Sequence, residues 1–160
     1  MKINLGTTDF TPSREQISAA ESALGAEFST EYLSFLTIHD GAVPDANVFR
    51  ISEDNSAGVT AFIPVGKLAY EHGLIDKEIA KSFFPFAYAE GGNYVCMPLS
   101  TGAGHGVFFL DHEIPGLHSL TKVSDSLVDF LSDLRPTDPE AVELRPGQVK
   151  SAWIDPRFLE

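Results

Sequence analysis

The sequence predicts an α+β domain built on a largely antiparallel sheet that is covered by helices. Three observations support this fold class. Apolar residues recur at helical spacing near both ends of the body, and short runs rich in β-branched and aromatic residues lie between them. The turns that join those runs are too short for the crossovers that parallel strands need. At 160 residues the chain has the size of one ordinary domain, residues 1–160.

Two helices open the chain. In "TPSREQISAAESALG", Ser13 is a good N-cap with a glutamine three residues later, and Gly25 is the expected stop. In "FSTEYLSFLTIHDG", Ser29 or Thr30 caps the helix and Gly41 ends it. We therefore expect two short amphipathic helices before the first strand.

The period then changes to that of strands. "NVFRI" and "GVTAFIPV" predict a hairpin, and "GKLAYEHGLIDKEIAKSF" predicts a helix and a shorter helical piece. Three strand candidates follow, "FFPFAYA", "NYVCMPL" and "GVFFLDH", and "DSLVDFLSDL" predicts a final amphipathic helix. We expect the helices to cover one side of the sheet.

The last 26 residues are predicted to form a C-terminal tail, separate from the body of the domain. The body is expected over residues 13–134, and residues 135–160 form a tail rich in proline and charge. The tail carries Trp153 and Phe158, which are costly to leave in water. We therefore expect the tail to dock on the body.

Composition narrows the possible partners. The net charge is −12, with 11 basic residues against 23 acidic ones, which argues against direct nucleic-acid binding and favours a basic partner. No apolar run approaches the ~20 residues of a spanning helix, and the first ten residues lack the apolar segment of a signal peptide. With Cys96 as the single cysteine, no intrachain disulfide forms. We therefore expect a cytoplasmic protein with no membrane partner.

Few residues suggest catalysis or metal binding. Cys96 lies between apolar neighbours on a predicted strand, where a thiol is inert. His39 and Asp40 occupy a helix exit, and neither they nor the "DHE" cluster at residues 111–113 shows the spacing of a helical metal motif. On a strand, His112 would point away from its two acidic neighbours. We expect no catalytic residue, no metal and no cofactor. A metal-dependent hydrolase built on His39, Asp40 and His112 is one alternative.

The order of six weak motifs resembles that of a known family. These are "LG" with "EYLSFL" and "HDGA", then "FIPV", "PFAYAEGGNYVC", "GVFFLDHE" and "SDSLVDFL". Together they are similar to the SUKH superfamily, first described in a fungal cell-wall synthesis regulator and used in bacteria as immunity proteins of polymorphic toxin systems. The resemblance covers roughly Ser13 to Leu134. The family often has Asn-Gly-Gly where this chain has His39, Asp40 and Gly41.

The resemblance implies a non-enzymatic immunity protein with a SUKH-like fold. Such a protein binds a cognate toxin, often a nuclease, and blocks it through complementary charge and shape. A basic protein toxin is the expected partner. The alternative within the resemblance is a general interaction module of a regulatory network, as in the fungal relatives.

Acidic residues at predicted loops and sheet ends give a candidate contact surface. If the antiparallel sheet forms, several of these turns lie along one rim, and nearby tyrosines supply anchoring contacts. The alternative is that these acids only keep the protein soluble. The candidate residues are Asp40, Asp45, Glu53, Asp54, Tyr88, Glu90, Tyr94, Asp111 and Glu113.

Overall fold

One antiparallel sheet and the helices packed on it form the fold in a computed structural model, which describes residues 5–8, 11–99 and 105–137. Short 3-10 turns occur at Val65–Lys67, Glu90–Gly92 and Gly116–Ser119. The α-helices of the described chain are α1 Arg14–Leu24, α2 Thr30–His39, α3 Leu68–His72, α4 Lys77–Ala80 and α5 Leu127–Asp133.

The strands of the described chain are β1 Ala46–Ser52, β2 Asn55–Phe62, β3 Phe83–Ala89, β4 Asn93–Pro98, β5 Val107–Leu110, β6 Leu120–Ser124 and β7 Arg135–Pro136. They form one sheet in the order β6-β5-β4-β3-β2-β1-β7, and each neighbouring pair is antiparallel. The predicted α+β fold with an antiparallel sheet is therefore confirmed. Strands β6 and β7 were not predicted.

Apolar residues cover both faces of the central strands. Val95 and Met97 of β4 join the main core with α1, α2 and α5, whereas Cys96 between them joins a smaller cluster. Successive residues of a strand point to opposite faces, so the two clusters lie on opposite sides of the sheet. Ile79 of α4 belongs to the smaller cluster. Helices thus cover both faces, and the expectation that they cover one side was wrong.

The sheet curls so that its two ends approach each other. Phe49 of β1 packs against Phe109 of β5 and Phe130 of α5, with ring centroids 6.0 and 5.3 Å apart. Strand β1 is four places away from β5 in the sheet. This curl allows α5 to close the main core from the concave side.

The capping residues of α1 and α2 are among those that the sequence predicts. Ser13 and Gln16 form the capping box of α1, and Gly25 ends the helix with φ +74°. Ser29 caps α2 by accepting a hydrogen bond from the backbone N–H of Tyr32. These caps satisfy backbone groups that would otherwise lack partners at the helix ends.

Only the start of the predicted tail falls within the described chain. Arg135–Pro136 pairs with β1, and the hydroxyl of Thr137 donates to Asn47 Oδ1 at 2.9 Å. Trp153 and Phe158 lie outside the described residues. Among the helices that are described, none has the length and apolar character needed to cross a bilayer.

Candidate functional site

Tyr88 of β3 and Tyr94 of β4 lie directly opposite each other next to the turn that joins the two strands. Their ring centroids are 6.1 Å apart, and both side chains are partly exposed. The pair shares the sheet face of Cys96, because Tyr94 and Cys96 are two residues apart on one strand. The two rings therefore stand at the edge of the smaller apolar cluster.

Glu71 of α3 holds both tyrosines. Its Oε1 accepts a hydrogen bond from the Tyr88 hydroxyl at 2.8 Å, and its Oε2 accepts one from the Tyr94 hydroxyl at 2.7 Å. Glu71 is only 8% exposed. Two phenols on one carboxylate leave each ring little freedom, since hydrogen bonds to a charged acceptor are short and strong.

Burial and this carboxylate keep the two phenols protonated. Burial raises the pKa of Tyr88 to about 12, and the hydrogen bond to Glu71 and the charge of Glu71 act in the same direction. Burial likewise raises the pKa of Tyr94, again with a contribution from Glu71. Both hydroxyls are therefore donors throughout the physiological pH range.

Exposed apolar side chains lie on and just after α3, the helix of Glu71, and in the β5–β6 loop. Tyr70 is the residue before Glu71 on α3, and it is 68% exposed. Leu74 follows one helical turn later, and the segment after it is tied to the β5–β6 loop by Asp76, which accepts from the backbone N–H of Gly116 at 3.3 Å. We call this surface the tyrosine face; it comprises Tyr70, Leu74, Tyr88, Tyr94, Ile114 and Leu117.

Three of the expected acids lie beside the tyrosine face. Asn93 joins their two loops, because its Oδ1 accepts the backbone N–H of His112 at 3.0 Å and its Nδ2 donates to the Glu90 carbonyl at 3.1 Å. Asn93 Oδ1 also lies 2.7 Å from His112 Nδ1. The acidic rim, defined as Glu90, Asp111 and Glu113, therefore lies on two joined loops at one end of β3, β4 and β5, and the carboxylate of Glu90 itself lies against Gly58 of β2.

The loop of Asp111 departs from the predicted strand. β5 ends at Leu110, so the expected alternation of Asp111, His112 and Glu113 along a strand was wrong. The reason is local: Asp111 Oδ1 accepts the backbone N–H of Glu113 at 3.0 Å and turns the chain. Of the three side chains, Asp111 is partly buried and the other two are exposed.

The remaining expected acids are placed differently. Glu53 and Asp54 are exposed in the β1–β2 turn and border a groove of about 700 Å³ with Arg135. Asp45 is exposed just before β1. Asp40 Oδ1 accepts a hydrogen bond from the backbone N–H of Val65. Val65 follows the end of β2 that is opposite to the β1–β2 turn, so the length of β2, roughly 25 Å, separates Asp40 from that turn.

Asp40 and His39 serve the local structure. Burial raises the pKa of Asp40, and the hydrogen bond from Val65 opposes that shift. His39 Nδ1 lies 2.6 Å from the Gly6 carbonyl oxygen, and its ring packs on Phe35. Over the ranges that the structure describes, no three His, Cys, Asp or Glu side chains are grouped as a metal site requires. Cys96 is buried, which raises the pKa of its thiol.

A larger groove, which the sequence did not indicate, opens between the α1–α2 loop and the end of β4. Its volume is about 770 Å³. The apolar wall includes Phe28, Phe84 and Leu127, and the exposed acids Glu27 and Glu31 stand at its border. This groove gives a second acidic surface with which the rim can be compared.

Glu71 was missed because an acid on a short helix is normally solvated. A signal was present: Glu71 stands three residues after Leu68 and four before Ile75, which places it on the buried face. Its partners depend on the pairing of β3 with β4, which the sequence does not state.

Comparison with known proteins gives one result for the chain. The sequence model described as the SMI1 / KNR4 family (SUKH-1) matches residues 11–133. The matched range contains all five described helices and strands β1 to β6. A search of curated proteins finds no match.

Proposed function

The chain belongs to the SMI1 / KNR4 family (SUKH-1), and from this premise we propose that it is an immunity protein that binds and neutralises a cognate toxin domain. The family is generally non-enzymatic, which is consistent with action by binding. The toxin occupies the tyrosine face and meets the acidic rim. The protein works in the cytoplasm of the cell that it protects.

The observation that carries this proposal is the rigid pair of tyrosines beside the rim. Tyrosine is enriched among the residues that dominate binding energies at interfaces. Glu71 already fixes both hydroxyls, so little side-chain entropy remains to be lost on binding. Leu74 and Tyr70 add exposed apolar area around them.

Charge supports a basic partner. The chain carries a net charge of −12, and the rim places three acids on the loops that follow β3 and β5, at the end of the sheet where the tyrosines lie. An acidic surface attracts a basic protein at long range and raises the rate of productive encounter. A toxin domain that acts on nucleic acid has the required charge, because it must itself attract phosphates.

Co-expression tests the function. A candidate toxin domain, sought first among the genes adjacent to this one, is expressed in bacteria with the wild-type chain or with Tyr88→Ala/Tyr94→Ala, and growth and complex formation are measured. We expect the wild-type chain to restore growth and to co-elute with the toxin, and the double variant to lose both.

The matched control is Phe108→Ala, which removes a partly buried ring of β5 from the same apolar cluster but leaves both phenols in place. It reports on the cost of losing a partly buried ring as such. A folded wild-type chain that neither binds the toxin nor protects the cell would contradict the proposal. Binding to a non-toxic regulator instead would favour the interaction module of a regulatory network.

A further inference from the structure

We propose that the tyrosine face receives an arginine side chain of the partner, which stacks on the rings of Tyr88 and Tyr94 and is attracted by the buried charge of Glu71. This inference rests on the proposed function, since it names the chemistry of the partner at the same surface. It concerns one contact within that surface, and it can be tested without the toxin.

Glu71 is a buried carboxylate without a cationic partner among the described residues. Both of its oxygens accept hydrogen bonds, which suits an ionised carboxylate. Buried charges in proteins are normally paired with an opposite charge. In the described part of the chain, Lys81 and Lys122 form the ion pairs, with Glu78 and Asp125, and none is formed by Glu71. Within the residues that the structure describes, the carboxylate therefore accepts from two neutral phenols, and no ion pair neutralises its charge.

The rings of Tyr88 and Tyr94 are oriented by their bonds to Glu71. Each hydroxyl is directed to Glu71, so the partly exposed remainder of each ring is what a partner meets. A phenol that donates to an anion becomes richer in electrons, which strengthens the attraction of its ring face for a cation. Tyr70, next to Glu71 on α3, is a third and largely exposed ring.

Among the cations of a partner protein, the guanidinium of arginine suits these rings best. A guanidinium is planar, weakly hydrated and suited to stacking on aromatic rings, whereas an ammonium is compact and strongly hydrated. A divalent metal ion fits poorly, because it needs several oxygen ligands, and within the described residues no three His, Cys, Asp or Glu side chains are grouped to hold one. Leu74 and Leu117 offer apolar contacts for the methylene groups of an arginine.

The experiment uses two small probes on the full chain. N-acetyl-arginine methylamide and N-acetyl-citrulline methylamide have nearly the same shape, but citrulline is neutral. Amide resonances are followed by two-dimensional NMR during titration with each probe. We expect saturable shifts at Tyr88, Tyr94 and α3 with the arginine probe and at least a fivefold weaker response with the citrulline probe.

Two variants test which acid attracts the arginine probe. Glu71→Gln removes the buried charge and should weaken arginine binding at least fivefold, while Glu90→Gln removes one exposed charge of the rim and should change it less than twofold. If Glu71→Gln does not fold, the comparison of the two probes on the wild-type chain still decides the matter. Equal responses to both probes, or shifts spread over the acidic rim alone, would overturn the inference.

The two proposals fail separately. Arginine binding at the tyrosine face without protection against the toxin would overturn the immunity function and leave the arginine site intact. Protection by Tyr88 and Tyr94 without a response to the arginine probe would overturn the arginine site and leave the immunity function intact.

Discussion

The hydroxyl of Tyr94 donates a 2.7 Å hydrogen bond to Glu71, 23 residues earlier in the chain. With the equivalent bond from Tyr88, it ties helix α3 to the centre of the sheet. The same contact therefore has two roles: it holds the helix in place and it fixes the rings that we propose as the binding surface.

Removal of the Tyr94 hydroxyl should destabilise the fold. Tyr94→Phe keeps the ring but removes a hydrogen bond to a buried charge, so we expect the free energy of unfolding to fall by about 2 kcal/mol in urea denaturation. Tyr70→Phe is the control, because Tyr70 is largely exposed and its change should stay within about 0.5 kcal/mol. Equal stability of Tyr94→Phe and the wild type would contradict the role of this bond.

The opposite result is expected at Tyr32. Its hydroxyl is buried in the main core and has no hydrogen-bond partner among the described residues. Tyr32→Phe removes an unsatisfied polar group and keeps the ring, so the free energy of unfolding should rise by about 1 kcal/mol. Thermal and urea denaturation measure it. A less stable variant would show that the hydroxyl has a partner in solution.

Alkaline pH should weaken the fold through the same tyrosines. The pKa of Tyr88 is raised from 10.0 to about 12 in the folded chain, and that of Tyr94 is raised in the same direction. A raised pKa means that the folded state holds the proton more tightly than the unfolded state. Its stabilising contribution is therefore complete below pH 10 and is lost as the pH rises towards 12.

Urea denaturation at several pH values between 8 and 12 checks this dependence. The double variant Tyr88→Phe/Tyr94→Phe has neither group, so its stability should decline less steeply than that of the wild type above pH 10. Tyrosinate absorbance follows the ionisation independently. The same slope in both proteins would assign the alkaline loss to other groups.

Charge reversal on the rim should slow association with the toxin. Asp111→Lys/Glu113→Lys replaces two acids next to the tyrosine face, and we expect a several-fold lower association rate at low salt, with a weaker dependence on salt. Glu27→Lys/Glu31→Lys makes the same charge change at the larger groove and is the control. Glu53→Lys/Asp54→Lys tests the β1–β2 turn in the same way. Equal rates for the rim and groove variants would remove the rim from the contact surface.

The start of the tail should contribute to stability through β7. Deletion of residues 135–160 removes the strand that pairs with β1 and the bond of Thr137 to Asn47, so the melting temperature should fall. Deletion of residues 138–160 keeps both and isolates the contribution of Trp153 and Phe158. If the two deletions melt like the full chain, neither β7 nor the rest of the tail stabilises the domain.

Local chemistry made much of the fold predictable. The helix boundaries depend on neighbours in sequence: the hydroxyl of Ser13 bonds to Gln16, and Gly25 takes a left-handed conformation. The alternation and turns of β3 and β4 were equally visible. Strand β6 was missed because "LTKVS" at residues 120–124 has three partly buried and two exposed residues, and no clear apolar face.

The site was less predictable, since it depends on contacts between distant segments. Tyr88 and Tyr94 were expected beside the acids because they flank the glycine turn, but their link to Glu71 needs both the strand register and the position of α3. Likewise, the loops of Glu90 and His112 are joined by hydrogen bonds of the Asn93 side chain. The sequence does not show this link, because an asparagine side chain can equally bond within its own turn.

The pairing of β1 with β7 has a consequence for biosynthesis. Asn47 and Thr137 are 90 residues apart, so on a ribosome the β1–β2 hairpin emerges long before the strand that covers its edge. Until then, β1 exposes unpaired backbone groups, and Phe49 lacks the ring of Phe130. The nascent chain thus passes through a stage with an open strand edge, during which contact with another chain competes with completion of the sheet.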